Sequence, residues 1–144
     1  MRRGAPASRW FAETEIEIQF YDLDPMQIVW HGNYVKYLEV ARCALLDQIA
    51  YNYNQMKDSG FAWPVIDMNL RYIGSAVFGQ RIKLRAEIVE YEHRLKIDYL
   101  ITDAASGKRL TRASTSQVAV DIATGEMCFV SPAILFEKLG VTPS

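Results

Sequence analysis

The sequence predicts an α+β fold: a curved antiparallel β-sheet of five or six strands wrapped around one long central α-helix. Three observations predict it. Apolar residues recur at helical spacing only once over a long stretch, from Tyr34 to Ile49. Strand-like alternation stands on both sides of that stretch. The later strands are joined by short turns, which makes them antiparallel neighbours. A single helix covers only one face of such a sheet, so the sheet curves around it and leaves its other face and its edges for a partner subunit.

Taken in order, residues 1–12 read as a flexible N-terminal tail, basic at its start but without the apolar run of a secretory signal. Residues 13–144 read as one domain. The first strand falls at residues 14–20, where Ile16, Ile18 and Phe20 alternate with Glu15, Glu17 and Gln19. A loop follows from Asp22 to Gly32. The helix then runs roughly five turns from Asn33, with Tyr34, Tyr37, Leu38, Ala41, Leu45 and Ile49 on its buried face. Asn33 is the expected N-cap, and Gly32 gives a flexible entry. Glu39 and Arg42 pair on the helix surface. The polar stretch Asn52 to Gly60 is where the helix frays. Strands are then expected over 65–77 with a bend at Gly74-Ser75, over 81–91, over 95–101, over 110–120, and near 127–130. The tail after Pro132 holds one or two helical turns.

Composition narrows the function. Half of the 144 residues are hydrophobic and 23% are charged, the balance of a globular chain with a real core. The formal net charge is −1, so no global field draws nucleic acid or an anionic membrane, and a phosphate-bearing ligand must be met by local basic residues. No apolar run approaches the ~20 residues of a membrane span. Cys43 and Cys128 have no metal spacing and read as reduced, cytoplasmic thiols. No third ligand accompanies the two histidines at metal spacing, so no metal site is expected. His93 lies in a polar turn and reads as surface.

The stretch Tyr21 to Arg42, YDLDPMQIVWHGNYVKYLEVAR, carries the chemistry. Asp24 stands seven residues before His31, and the helix begins directly after. A carboxylate able to act as base or nucleophile, delivered to a helix N-terminus able to stabilise an oxyanion, suits attack on a carbonyl. Asp24 followed by Pro25 also suits a helix cap with proline at the first helical position, and the residues alone leave both roles open. Asp22 reads as a turn carboxylate that raises the pKa of Asp24 if both face one pocket. Tyr34 and Tyr37 pack the helix into the sheet.

Asp24, Ile28-Val29, His31, Asn33-Tyr34 and the Glu39, Ala41, Arg42 segment together resemble the hotdog-fold acyl-CoA thioesterases of the 4-hydroxybenzoyl-CoA thioesterase and YbgC type. The resemblance runs over roughly residues 13–130. It implies a hotdog fold, hydrolysis of an acyl thioester, Asp24 as the catalytic carboxylate and a polarising or positioning role for His31. It places Val29, Gly32, Asn33 and Tyr34 at the substrate, with the oxyanion held by N–H groups near His31 to Tyr34. It implies no cofactor beyond the coenzyme A of the substrate, an acyl-CoA or acyl-carrier-protein substrate, and a homodimer or homotetramer with sheets joined side by side. Many members carry glycine where this chain has Gln27, and YbgC-type members often carry tyrosine at the position of Phe20. Candidate contacts for coenzyme A phosphates are Arg81, Lys83 and Arg85 on one strand face, and Arg71, Arg94, Lys108 and Arg109; a solvated face is the plain alternative. The rival functions are a hotdog dehydratase acting on hydroxyacyl thioesters and a non-catalytic acyl-CoA or acyl-carrier-protein binding module.

Overall fold

The computed structural model describes residues 9–142. The elements run β1 (Phe11–Glu17), α1 (Asn33–Gln48), α2 (Tyr53–Asp58), β2 (Phe61–Ala62), β3 (Val65–Tyr72), β4 (Arg81–Glu90), β5 (Leu95–Asp103), β6 (Arg109–Gln117), β7 (Val120–Asp121) and α3 (Ala133–Leu139). Five strands form one antiparallel sheet in the order β1-β4-β5-β6-β3, and β2 pairs with β7 in a separate two-stranded ladder. This is the α+β architecture expected from the sequence.

The central strands follow from alternation. Ile82, Leu84, Ala86 and Ile88 of β4, and Leu95, Ile97, Tyr99 and Ile101 of β5, point to one face and are all buried. Helix α1 lies across this face and packs against β1, β4 and β5. Its buried stripe is Tyr34, Tyr37, Leu38, Ala41, Leu45 and Leu46. The polar residues between the inward positions of β4 meet β1 across the sheet's other face. Glu13 stands opposite Arg85, Glu15 opposite Lys83 and Glu17 opposite Arg81, a ladder of opposite charges.

Several boundaries differ from the sequence reading, each for a physical reason. Strand β1 occupies Phe11–Glu17 rather than 14–20, because its pairing with β4 starts at Phe11. Trp10 is held too, donating its indole N–H to the Leu139 carbonyl at 3.2 Å. Of the expected flexible tail, residues 1–8 lie outside the described residues, and the chain is already in a strand at Phe11. The stretch expected to fray contains α2, started by Asn52 and Gln55. The Asn52 side chain accepts from Tyr53 N–H, and the Gln55 side chain accepts from Asn52 N–H at 3.0 Å. Strand β3 ends at Tyr72, where Ile73 and Gly74 both donate to the Leu110 carbonyl and bend the chain. Near 127–130 there is no strand: a single bridge joins Val120 to Met127, and Phe129 and Val130 are exposed.

Arg42 is buried at 2% exposure instead of lying on the helix surface. Its guanidinium is bonded to Glu39 and donates to the Tyr53 hydroxyl at 3.1 Å. Helix α2 brings that tyrosine over α1, which a helical-face reading of α1 alone does not contain.

Candidate active site

The site is a tight hairpin leading into the start of α1. After β1 the chain makes a 3-10 turn, Phe20–Asp22. It then pairs with itself: Leu23 bridges Val29, and Asp24 N–H donates to the Ile28 carbonyl at 2.9 Å. The tip is a turn closed by Gln27 N–H on the Asp24 carbonyl at 2.9 Å. Gln27 sits at φ 66°, a left-handed position where glycine is the least strained residue. That accounts for the glycine many members of the resembled family carry there.

Asp24 is not a helix cap. One carboxylate oxygen, Oδ1, accepts the Met26 N–H at 2.8 Å across the turn, and no helix starts at Pro25. Paired residues of a hairpin share a face. Leu23 and Val29 therefore face the core, where Val29 is buried, while Asp24 and Ile28 face the other way. Trp30, two residues past Ile28, lies on that outer face and is exposed. Its ring leans back over Gly32, where a side-chain Cβ would come within 2.4 Å of the indole.

Asp22 binds the hairpin to the helix. Its carbonyl accepts the Trp30 N–H at 3.0 Å and the Asn33 side-chain amide at 2.8 Å. Its carboxylate accepts the Gln19 N–H at 2.9 Å. Burial, and next the charge of Asp22, hold the Tyr37 phenol well above the usual tyrosine range. Burial likewise raises Tyr34.

The helix begins without a side-chain cap. Gly32 takes the N-cap place expected of Asn33, and Asn33 is the first helical residue, buried and turned toward Asp22. Asn33 N–H reaches the Trp30 carbonyl at 2.9 Å, and Tyr34 N–H reaches the His31 carbonyl at a long 3.4 Å. Among the described residues, the N–H groups of His31 and Gly32 donate to no protein acceptor. Unpartnered N–H groups at the positive end of a helix are able to receive a negatively charged oxygen.

The remaining candidates separate. The His31 ring is exposed, with ring centroids 5.3 Å from Trp30 and 6.3 Å from Tyr72, and it shares no hydrogen bond with Asp24. The His31 carbonyl accepts the Tyr72 hydroxyl at 2.9 Å. Val29 donates its N–H to the Ala76 carbonyl at 2.9 Å, so it anchors the hairpin rather than facing the mouth. Tyr34 is buried edge-on between Tyr37 and Tyr72, at 5.5 and 5.4 Å. Among the basic residues, Arg81 pairs with Glu15 at 3.3 Å, Arg85 with Glu13 at 3.2 Å and Arg94 with Glu90 at 2.8 Å. Among the described residues no ion pair engages Arg71, Lys108 or Arg109. A cleft of about 280 Å³ on the outer sheet face, lined by Arg71, Arg85, Arg112, Glu87 and Asp98 among others, shares no residue with the hairpin. Asn33's link to Asp22 and the place of Arg112 were not legible in the sequence, since both depend on pairing between distant segments.

A sheet curled around one long helix, with a carboxylate hairpin feeding the helix N-terminus, defines the class: a hotdog-fold thioester hydrolase. The chain belongs to the thioesterase-like superfamily, whose profile matches residues 18–136. It is 31% identical over 111 residues to YneP of Bacillus subtilis (strain 168), provisionally named an acyl-CoA thioesterase, across 76% of this chain and 80% of that protein. The DHNA-CoA thioesterase of Staphylococcus aureus superposes with a TM-score of 0.74 at 28% identity, covering 83% of this chain and 80% of that one. Slr0204 of Synechocystis, a 1,4-dihydroxy-2-naphthoyl-CoA thioesterase, shares the fold with a TM-score of 0.80 at 20% identity, covering 90% and 96%.

Proposed function

We propose that this chain hydrolyses an acyl-CoA thioester to the free acid and coenzyme A, with Asp24 as the catalytic carboxylate. One observation carries the reading. The hairpin sets Asp24 on its open face and runs directly into a helix start whose His31 and Gly32 N–H groups are free. The thioester carbonyl oxygen is received by those donors, and the developing negative charge is stabilised by them and by the helix dipole. In the general-base route Asp24 takes a proton from water as the water oxygen bonds to the carbonyl carbon. The C–S bond then breaks, and the thiolate leaves with that proton. In the nucleophilic route the Asp24 oxygen displaces the thiolate to give a mixed anhydride, which water cleaves. His31 stands at the mouth and positions the acyl group. Neither route calls for a cofactor beyond the coenzyme A of the substrate.

The edges of the sheet support a homodimer. On β1 the edge is guarded by Glu13, Glu15 and Glu17. On β3 it carries the exposed apolar residues Val65, Ile66 and Tyr72, with Ile73 just beyond. Edge-to-edge pairing of two copies through β3 covers them and brings Tyr72, with His31 on its hydroxyl, to the subunit boundary. Two free, separated thiols accord with a reducing cytoplasm. Among the described residues no helix is long and apolar enough to cross a membrane.

The test is thiol release from a panel of acyl-CoAs, short aliphatic to aromatic, by the protein and by Asp24→Asn. Asparagine keeps an oxygen for the Met26 N–H, so the variant stays folded while kcat falls ~10²- to 10⁴-fold. Retained turnover in a folded Asp24→Asn would sink the proposal. Single turnover in ¹⁸O-water separates the routes, since label entering Asp24 first identifies the anhydride.

A further inference from the structure

We infer that Asn33 is a positioning residue: it sets the gap between Asp24 and the Gly32 N–H, and does not hold substrate. This rests on the reading of Asp24 as the catalytic carboxylate. The hairpin's own bonds, Leu23 to Val29, Asp24 to Ile28 and Gln27 to Asp24, fix its shape but not its place against the helix. Val29 moors it to Ala76, in the connection between β3 and β4. The link to α1 is made by Asn33. Its main-chain N–H meets the Trp30 carbonyl at 2.9 Å, on the returning strand, and its side-chain amide meets the Asp22 carbonyl at 2.8 Å, on the outgoing strand. Both strands of the hairpin are therefore held by one residue of the helix. Tyr37, one turn further along α1, also lies close to the Asp22 carboxylate, but its buried hydroxyl makes no hydrogen bond of ordinary geometry, whereas the Asn33 amide does.

The position amplifies the bond. Asp22 is two residues before Asp24, and Asn33 is one residue after Gly32, so the Asn33-to-Asp22 bond ties the strand that carries Asp24 to the residue beside Gly32. The acceptor is saturated, since the Trp30 N–H uses the other lone pair of the Asp22 carbonyl. Asn33 is only 7% exposed and its amide is engaged by the Asp22 carbonyl, which leaves little of it for an incoming thioester. Reacting groups must stand about 3–3.5 Å apart, and a misplacement of about 1 Å costs on the order of 100-fold in rate.

The experiment is steady-state kinetics on the acyl-CoA that the protein turns over fastest, with thermal melting alongside, for Asn33→Ala, Asn33→Asp and Asp24→Asn. In Asn33→Ala, kcat falls by roughly 10- to 100-fold while KM moves by less than about threefold. Asn33→Asp presents a second acceptor to the Asp22 carbonyl when ionised and an O–H donor when protonated. Its kcat therefore recovers toward acid pH relative to Asn33→Ala, a response that lost packing does not give. If Asn33→Ala does not fold, the recovery of Asn33→Asp toward acid pH relative to the parent's own pH profile carries the same decision. A raised KM with unchanged kcat assigns Asn33 to substrate binding and overturns the inference, as does a kcat within about threefold of the parent in folded Asn33→Ala. Retained turnover in Asp24→Asn overturns the reading beneath it, whatever Asn33 does.

Discussion

Gly32→Ala separates the needs of folding from those of chemistry at the helix start. Gly32 has φ −69° and ψ −22°, which any residue adopts, so the backbone gives no reason for glycine. The reason is Trp30. A Cβ on Gly32 would lie 2.4 Å from indole Cζ3 and 2.5 Å from Cη2, against an ordinary contact of 3.4 Å or more, so the ring must withdraw by about 1 Å. Trp30 is 49% exposed and can swing outward. The lost ring contact is offset by the narrower unfolded ensemble of alanine, worth about 0.4–1 kcal/mol. The net change in stability is therefore within about 1 kcal/mol, and Tm moves by no more than about 4 °C. Activity behaves differently. The new methyl group crowds the Gly32 N–H, and the displaced ring moves on the hairpin face that also carries Asp24, where the proposed reaction takes place. We expect kcat/KM to fall 10- to 100-fold, about 1.4–2.8 kcal/mol of transition-state stabilisation. Thermal melting and thiol release on one preparation give both numbers. Adding Trp30→Ala assigns the loss: recovery blames the ring, and no recovery blames the crowded N–H. Unchanged kcat/KM in a normally melting Gly32→Ala would refute the role of Gly32 as oxyanion donor, and a Tm fall beyond about 8 °C would refute the mobility assigned to Trp30.

Three further outcomes are expected. Gln27→Gly relieves the left-handed strain at the hairpin tip and raises stability by about 1 kcal/mol, whereas Gln27→Val lowers it by at least as much; urea unfolding measures both, and the opposite order would contradict the positive φ. Burial holds Tyr34, Tyr37, Tyr53 and Tyr99 above the ordinary tyrosine pKa of ~10, so the folded state keeps protons that the unfolded state releases. Their contribution is complete below pH ~10 and is lost as pH rises beyond it, and Tyr37→Phe flattens that fall in urea titrations between pH 9 and 11.5; an identical slope in parent and variant would count against it. If two copies pair through β3 as proposed, Ile66→Lys on its exposed edge leaves the monomer fold intact and halves the sedimenting mass of the parent, whereas an equal mass in parent and variant would count against pairing through β3.

The sequence by itself determined whatever local periodicity and turn chemistry encode. Alternation in β4 and β5 and the helical stripe of α1 fixed which faces are buried, because side-chain direction follows from backbone geometry within a few residues. The motif from Asp24 to Arg42 identified the thioesterase class for the same reason: its residues are close in the chain and stand in register with a known family. Tertiary structure decided what depends on segments far apart. The glutamates of β1 read as a polar strand face until β4 sets Arg85, Lys83 and Arg81 opposite them. Arg42 reads as a surface partner of Glu39 until α2 brings Tyr53 over it. Asn33 reads as a cap or a substrate contact until the hairpin folds back and offers it the Asp22 carbonyl. A hydrogen bond or an ion pair is won only when two groups meet. The sequence names the groups, but the path of the chain between them decides which ones meet.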